Sequence, residues 1–315
     1  MQTVTQSDKD KQLNVVFAGT PAFAVPSLDR LLQCPDVSIT AVLTQPDRPA
    51  GRGRKTTHSA VKAHALEHHL NLMQPDSLRE GSVVDDISRL SPDLLIVVAY
   101  GLILPERLLA IPTAAINVHA SLLPRWRGAA PIQRALMAGD SKTGISIMRL
   151  VKELDAGPVW LTRECLIHQT DTAGSLTERL SITGADALLD ALELFTHGEV
   201  TEAPQNETEA TYAHKLTRGD RLINWQRSAA DIERIVRAMT PTPGAVAVLG
   251  NIEVKLLSTK AHPSSSLSPG EVRIKDRASL LVGTIEGDLE IERLQPAGKQ
   301  AMGVGPFLNG YGNLL

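Results

Sequence analysis

Through its first two thirds the chain alternates short, almost wholly apolar runs with stretches of helical periodicity. "LNVVFAG" (13–19), "VSITAVLTQ" (37–45), "DLLIVVAYG" (93–101), "AAINVHA" (114–120), "GISIMRLV" (144–151) and "GPVWLTRECLI" (157–167) read as strands. Segments near 23–33, 59–70, 130–139 and 172–196 read as helices. A strand that is apolar on both faces must be covered on both, and helices placed between strands supply the cover. The pattern predicts an α/β fold: a Rossmann-like, mostly parallel sheet with helices on both faces.

The length of 315 residues leaves room for a second domain. "HGEVTEAPQNETEATYAHKL" is polar and punctuated, as linkers are. Beyond it a helix over 228–239, with Ser228 as its N-cap, precedes the short strand-like runs "AVAVLG", "IEVKLLSTK", "EVRIKD", "SLLVGTI" and "LEIERLQP". Short strands so closely spaced predict a small, OB-like β-barrel. The expected division is a tail at 1–12, an α/β domain at 13–203, a linker at 204–217 and a C-terminal β-barrel domain at 218–315.

A net charge of −3 excludes a uniformly basic nucleic-acid binder but not a local basic patch. Two cysteines, Cys34 and Cys165, lie far apart without metal-ligand spacing, which fits a reducing compartment and no disulfide framework. The first twelve residues lack the apolar centre of a targeting segment, and no apolar run is long enough to span a bilayer; a cytoplasmic monomer is expected. His64 and His68 share a helical face, but no carboxylate or cysteine nearby in the sequence completes a metal site, so they read as surface residues and no metal is expected. Gly19-Thr20-Pro21 lacks the later glycines of a dinucleotide loop.

The chemistry concentrates at "INVHASLLPRWRGAAP" (116–131). In an open parallel sheet ligands bind at the carboxyl ends of strands. Asn117 and His119 stand at such an end, two residues apart and therefore on one face. An amide beside an imidazole can hold a carbonyl oxygen as it becomes an oxyanion. Neither is a strong nucleophile, and no Gly-x-Ser-x-Gly elbow is present, so the nucleophile would come from a substrate. Asp155, in the loop "KELDAGPV", is a candidate carboxylate for orienting the imidazole. A lone histidine at a strand end reads equally well as one satisfied by the surrounding structure, and an Asp in a turn is common.

These two segments resemble the formyltransferases that use 10-formyltetrahydrofolate. The Asn-x-His followed by Ser-Leu-Leu-Pro and Arg-Gly is shared across that superfamily. "FAGTPAFAVPSL", "TQPDRPAGRGRK" (44–55), "VVAYGLILP" (97–105), "AAPIQRAL" and "LQPAGKQAM" (294–302) are similar to its branch acting on initiator methionyl-tRNA. The resemblance covers nearly the whole chain. It implies a catalytic trio of Asn117, His119 and Asp155, and a formyl donor, 10-formyltetrahydrofolate, used without a metal. It also implies folate contacts from Ser121, Leu122, Leu123 and Pro124 and from Tyr100, Gly101 and Leu102. Pro124 fixes its own φ and restricts Leu123, so this wall would be stiff. The glycine-spaced basic stretch with Arg48, Arg52, Arg54 and Lys55 is implied to contact the tRNA acceptor stem, as a mobile arm. Trp126 reads as a partly exposed residue near the substrate mouth.

Three rivals are weighed against this. A formyltransferase for an amino sugar-nucleotide would share the trio and the folate wall, but "PAGRGRK" and "LQPAGKQAM" favour tRNA. A glycinamide formyltransferase needs no second domain. A non-catalytic RNA-binding protein has no reason to keep the trio. One departure stands out: where the family often has Pro-Trp-Pro, this chain has "TPTPG" (240–244).

Overall fold

The computed structural model describes residues 12–50, 55–79, 81–276 and 278–315. Its packing defines two units. The first runs to Arg127 and takes in Gly144–Cys165 and Glu178–Tyr212; the second holds Gly128–Thr143, Leu166–Thr177 and Ala213–Leu315. No described helix is long and apolar enough to cross a membrane.

The strands of the first part of the chain are β1 (Leu13–Gly19), β2 (Val37–Leu43), β3 (Arg48–Ala50), β4 (Lys55–Thr57), β5 (Leu72–Met73), β6 (Leu94–Val98), β7 (Ala114–His119), β8 (Lys142–Arg149) and β9 (Val159–Leu166). The helices are α1 (Val25–Gln33), α2 (Ala60–Glu67), α3 (Gly81–Arg89), α4 (Glu106–Leu109), α5 (Pro131–Ala138) and α6 (Ala173–Thr196). Seven strands form one sheet in the order β5-β2-β1-β6-β7-β8-β9. β1 pairs in parallel with β2 and β6, and β6 with β7, so the carboxyl ends of β1, β6 and β7 share one edge. Val15, Val16, Phe17, Leu94, Leu95 and Ile96 are fully buried, as strands covered on both faces require. The mostly parallel α/β sheet is as expected.

β8 departs from the parallel pattern. It runs antiparallel to β7, with Asn117 opposite Met148 and His119 opposite Ser146. The connecting helix α5 belongs to the second unit, where it packs with α7 (Ala229–Met239). A crossover yields a parallel strand when its helix returns onto the sheet, and α5 is not used in that way.

The second unit contains the antiparallel strands β10 (Ala245–Leu249), β11 (Ile252–His262), β12 (Val272–Asp276), β13 (Ser279–Gly283), β14 (Asp288–Pro296) and β15 (Met302–Gly303), and the helix α8 (Val304–Tyr311). They order as β10-β11-β14-β13-β12, with β15 on β14. α7 begins as its sequence suggests: the Ser228 hydroxyl accepts the Asp231 N–H at 3.1 Å, satisfying a donor with no helical partner. Ile232, Ile235, Val236 and Met239 then face one way and join a core with Leu256, Leu280, Leu289, Ile291 and Phe307. A separate small antiparallel unit is thus present where the sequence places one.

Candidate active site

β7 carries both expected residues to its carboxyl end. The His119 side chain is 6% exposed, with Nδ1 3.7 Å from a carboxylate oxygen of Asp155. That separation is an ion-pair distance, longer than a direct hydrogen bond. Nε2 lies 2.9 Å from the Trp126 carbonyl oxygen. A carbonyl can only accept, so Nε2 holds a proton and donates it there. Asn117 is half-buried, and its side-chain amide makes no hydrogen bond among the described residues. An amide with no described partner thus stands two residues from an anchored imidazole on the same strand.

Asp155 reaches this position from the connection between β8 and β9 through an unusual backbone. Its φ is +49°, a left-handed conformation that Asp tolerates better than most residues. Two residues on, a Cβ at Gly157 would stand 1.9 Å from the Arg149 carbonyl oxygen, so only glycine lets the chain fold back so closely.

The turn after β7 is held by its own hydrogen bonds. Ser121 is fully buried and its hydroxyl donates to the Arg125 carbonyl at 2.6 Å. Ser146 Oγ donates to the Ser121 carbonyl at 2.7 Å and accepts the Leu123 N–H at 3.1 Å. The Ser121 hydroxyl is therefore a strut of the turn, whereas Leu122, Leu123 and Pro124 remain partly exposed. Trp126 is also partly exposed; its φ is +64°, and the Arg125 guanidinium lies 4.5 Å from the centre of its ring.

The second expected folate segment follows β6, beside β7 on the same sheet edge. Tyr100 is 1% exposed and its side chain belongs to the core of the first unit, with burial pushing the phenol above its ordinary range. Only its backbone faces the neighbouring loops: the carbonyl accepts from Thr20 Oγ1 at 2.8 Å and Gln45 Nε2 at 3.1 Å. Gly101 is exposed with φ +83°, and Leu102 is half-buried against the core.

The basic stretch is a two-stranded ribbon at its base, with Arg48 opposite Thr57 and Ala50 opposite Lys55. Arg48 is exposed. Arg52 and Arg54 lie outside the described residues, and for Lys55 only the backbone is described. The ribbon is rooted by Asp47, which accepts from Lys62 at 2.7 Å, Gln74 at 3.0 Å and His58 at 2.9 Å. The Lys62 ammonium, helped by Gln74, holds the Asp47 carboxyl down to about 2.

The sequence reading misses several partners. His64 and His68 do have a carboxylate near them: Asp29 of α1 lies 3.6 Å from His64 Nε2, and His64 is half-buried rather than on the surface. Thirty-odd residues separate Asp29 from the histidines, beyond any local spacing pattern. The stretch read as a linker at 204–217 is also not free. As far as Tyr212 it packs in the first unit, where Gln205, Glu207 and Thr211 hydrogen-bond around Arg127 and Trp126. Polar residues bonded inward and polar residues facing water look the same in a sequence.

The chain belongs to the formyl transferase family. The family profile "Formyl transferase" matches residues 12–192, and "Formyl transferase, C-terminal domain" matches 215–312. Among its relatives are the methionyl-tRNA formyltransferases of Pseudoalteromonas translucida, 44% identical over 95% of this chain and 94% of that one, and of Marinobacter nauticus, 45% identical over 96% and 98%. The same fold occurs in the N-formyltransferase from Helicobacter canadensis, solved with folinic acid and dTDP-3-aminofucose. The TM-score is 0.66 at 15% identity, covering 90% of this chain and 100% of that one.

Proposed function

We propose that the protein transfers the formyl group of 10-formyltetrahydrofolate to the α-amine of methionine esterified to initiator tRNA. The observation that carries the reading is the buried His119–Asp155 pair beside the uncommitted amide of Asn117, in a chain about 44% identical to methionyl-tRNA formyltransferases over nearly its full length. The neutral amine attacks the formyl carbon, and the carbonyl oxygen takes up negative charge in a tetrahedral intermediate. The Asn117 amide donates to that oxygen directly. His119, with Nε2 tied to a backbone carbonyl, contributes positive charge next to it, and Asp155 holds and balances that charge. Collapse breaks the bond from carbon to folate N10; the Asp155 carboxylate takes the proton lost by the amine and delivers a proton to N10. The turn at Leu122–Pro124 and the backbone around Tyr100–Leu102 form the folate wall, and positioning of two bound reactants supplies much of the rate. The region 13–203 performs the chemistry and 218–315 helps to hold tRNA. In this reading the enzyme works in the cytoplasm, where charged tRNA is used. Formylation assayed with charged initiator tRNA beside an amino sugar-nucleotide tests the reading: product from the sugar and none from tRNA would overturn it.

In this reading the basic stretch with Arg48, Arg52, Arg54 and Lys55 grips the tRNA backbone. Each phosphate contact releases counterions, roughly 0.7–0.9 per contact. Replacing all four residues with Ala is expected to flatten the slope of log affinity against log salt by about 3 and to leave folate binding unchanged. An unaltered slope would remove the ribbon from the tRNA site.

A further inference from the structure

The His119–Asp155 pair is held from behind by residues with no role in the mechanism above. The side-chain amide of Gln205 donates to the carbonyl of Asp155 at 2.8 Å and to that of Gly157 at 2.7 Å. Its Oε1 accepts from Arg127 Nε at 2.9 Å. The terminal nitrogens of Arg127 donate to the two Glu207 carboxylate oxygens at 2.9 and 2.7 Å. Arg127 is 2% exposed. One residue earlier, Trp126 presents its carbonyl to His119 and its N–H to Thr211 Oγ1 at 2.9 Å, while the Arg127 N–H donates to the Thr211 carbonyl at 2.9 Å. Both members of the pair are thus tied to Trp126-Arg127, and through it to the strap at 205–211.

The chemistry of each link admits one arrangement. Peptide carbonyls only accept and a guanidinium only donates, so Gln205 must point its NH₂ at the loop and its oxygen at Arg127. Arginine's planar fork can serve the amide with Nε and a carboxylate with both terminal nitrogens, which a lysine ammonium cannot do. The loop needs such support, because a left-handed Asp155 is a conformation that persists only when its surroundings determine it. Gln205 bonds the carbonyl at that residue and the one two residues later.

We infer that Gln205, backed by Arg127 and Glu207, is a positioning residue of the reaction, fixing the Asp155 carboxylate against the His119 imidazole. This rests on the proposed formyl transfer. The strap touches neither substrate in this scheme, so its loss should appear in kcat and spare KM.

The test is steady-state kinetics of Gln205→Met in the full-length protein with 10-formyltetrahydrofolate and charged initiator tRNA. We expect kcat to fall on the order of 10-fold or more, as loss of an outer partner of a reacting group typically costs 10–100-fold. Both KM values should stay within about twofold of wild type. In an Asp155→Asn background the same substitution should change kcat less than about twofold, because the group it positions is already disabled. Should Gln205→Met fail to fold, Gln205→Glu keeps the acceptor for Arg127 while losing the donors, and the same losses are expected. Full kcat in either folded variant, a loss expressed in KM, or an equal loss in both backgrounds would overturn the inference. Full kcat in Asp155→Asn alone would overturn the catalytic assignment itself, a result distinguishable from failure of the strap.

Discussion

Asn117→Ala is expected to lower kcat by about 10²–10³-fold, equivalent to about 2.7–4 kcal/mol, the usual cost of removing one oxyanion donor. The amide of Asn117 has no hydrogen bond to lose among the described residues, so fold and thermal stability should be nearly unchanged. Folate affinity should also change little. A formyl oxygen in the bound donor is a neutral acceptor, and the same oxygen in the tetrahedral intermediate carries charge. The hydrogen bond is therefore much stronger in the transition state, and an interaction of that kind contributes to turnover rather than to binding. Single-turnover formylation at saturating substrate, read beside a folate titration, separates the two. Turnover within about threefold of wild type, or a loss confined to folate affinity, would remove Asn117 from the oxyanion role.

What the sequence reveals here depends on whether the controlling interaction is local. Strands buried on both faces are continuous apolar runs, so 13–19, 94–98 and 114–119 can be read directly, and Ser228 announces the start of α7 through a contact three residues long. The direction of β8 cannot be read this way, because periodicity says nothing about where the preceding helix packs. The ribbon of β3 and β4 is two three-residue strands in a Gly-Arg stretch, too short for a pattern. Asn117 and His119 are legible as a pair since two-residue spacing on a strand fixes their common face. Asp155 is weaker, one Asp in a turn among many, and family resemblance rather than geometry selects it. The strap is illegible: Gln205 lies 50 residues from the carbonyl it holds, and its polar neighbourhood reads as solvated linker. The Nε2 proton of His119 is likewise fixed by a contact the sequence does not announce, the Trp126 carbonyl seven residues on.

The second large effect concerns His119 and Asp155 together. Each single substitution, His119→Ala or Asp155→Ala, is expected to lower kcat by about 10²–10⁴-fold, the range for a lost acid–base group. The double variant should fall little further than the worse single one. The reason lies in the burial of the pair, whose side chains are 6% and 12% exposed. A charge in that setting depends on its partner, because removing one member leaves the other desolvated and uncompensated. Without Asp155 the imidazole keeps its Trp126 contact but loses the carboxylate beside its Nδ1. Without His119 the carboxylate has lost the group through which it acts on the formyl oxygen. Either loss disables the same device, and residues acting as one unit share a single effect. Turnover of the four proteins of a double-mutant cycle measures this, with an expected coupling about equal to the smaller single effect, at least about 2.7 kcal/mol. Fully multiplicative losses would show that Asp155 works on the substrates independently of His119.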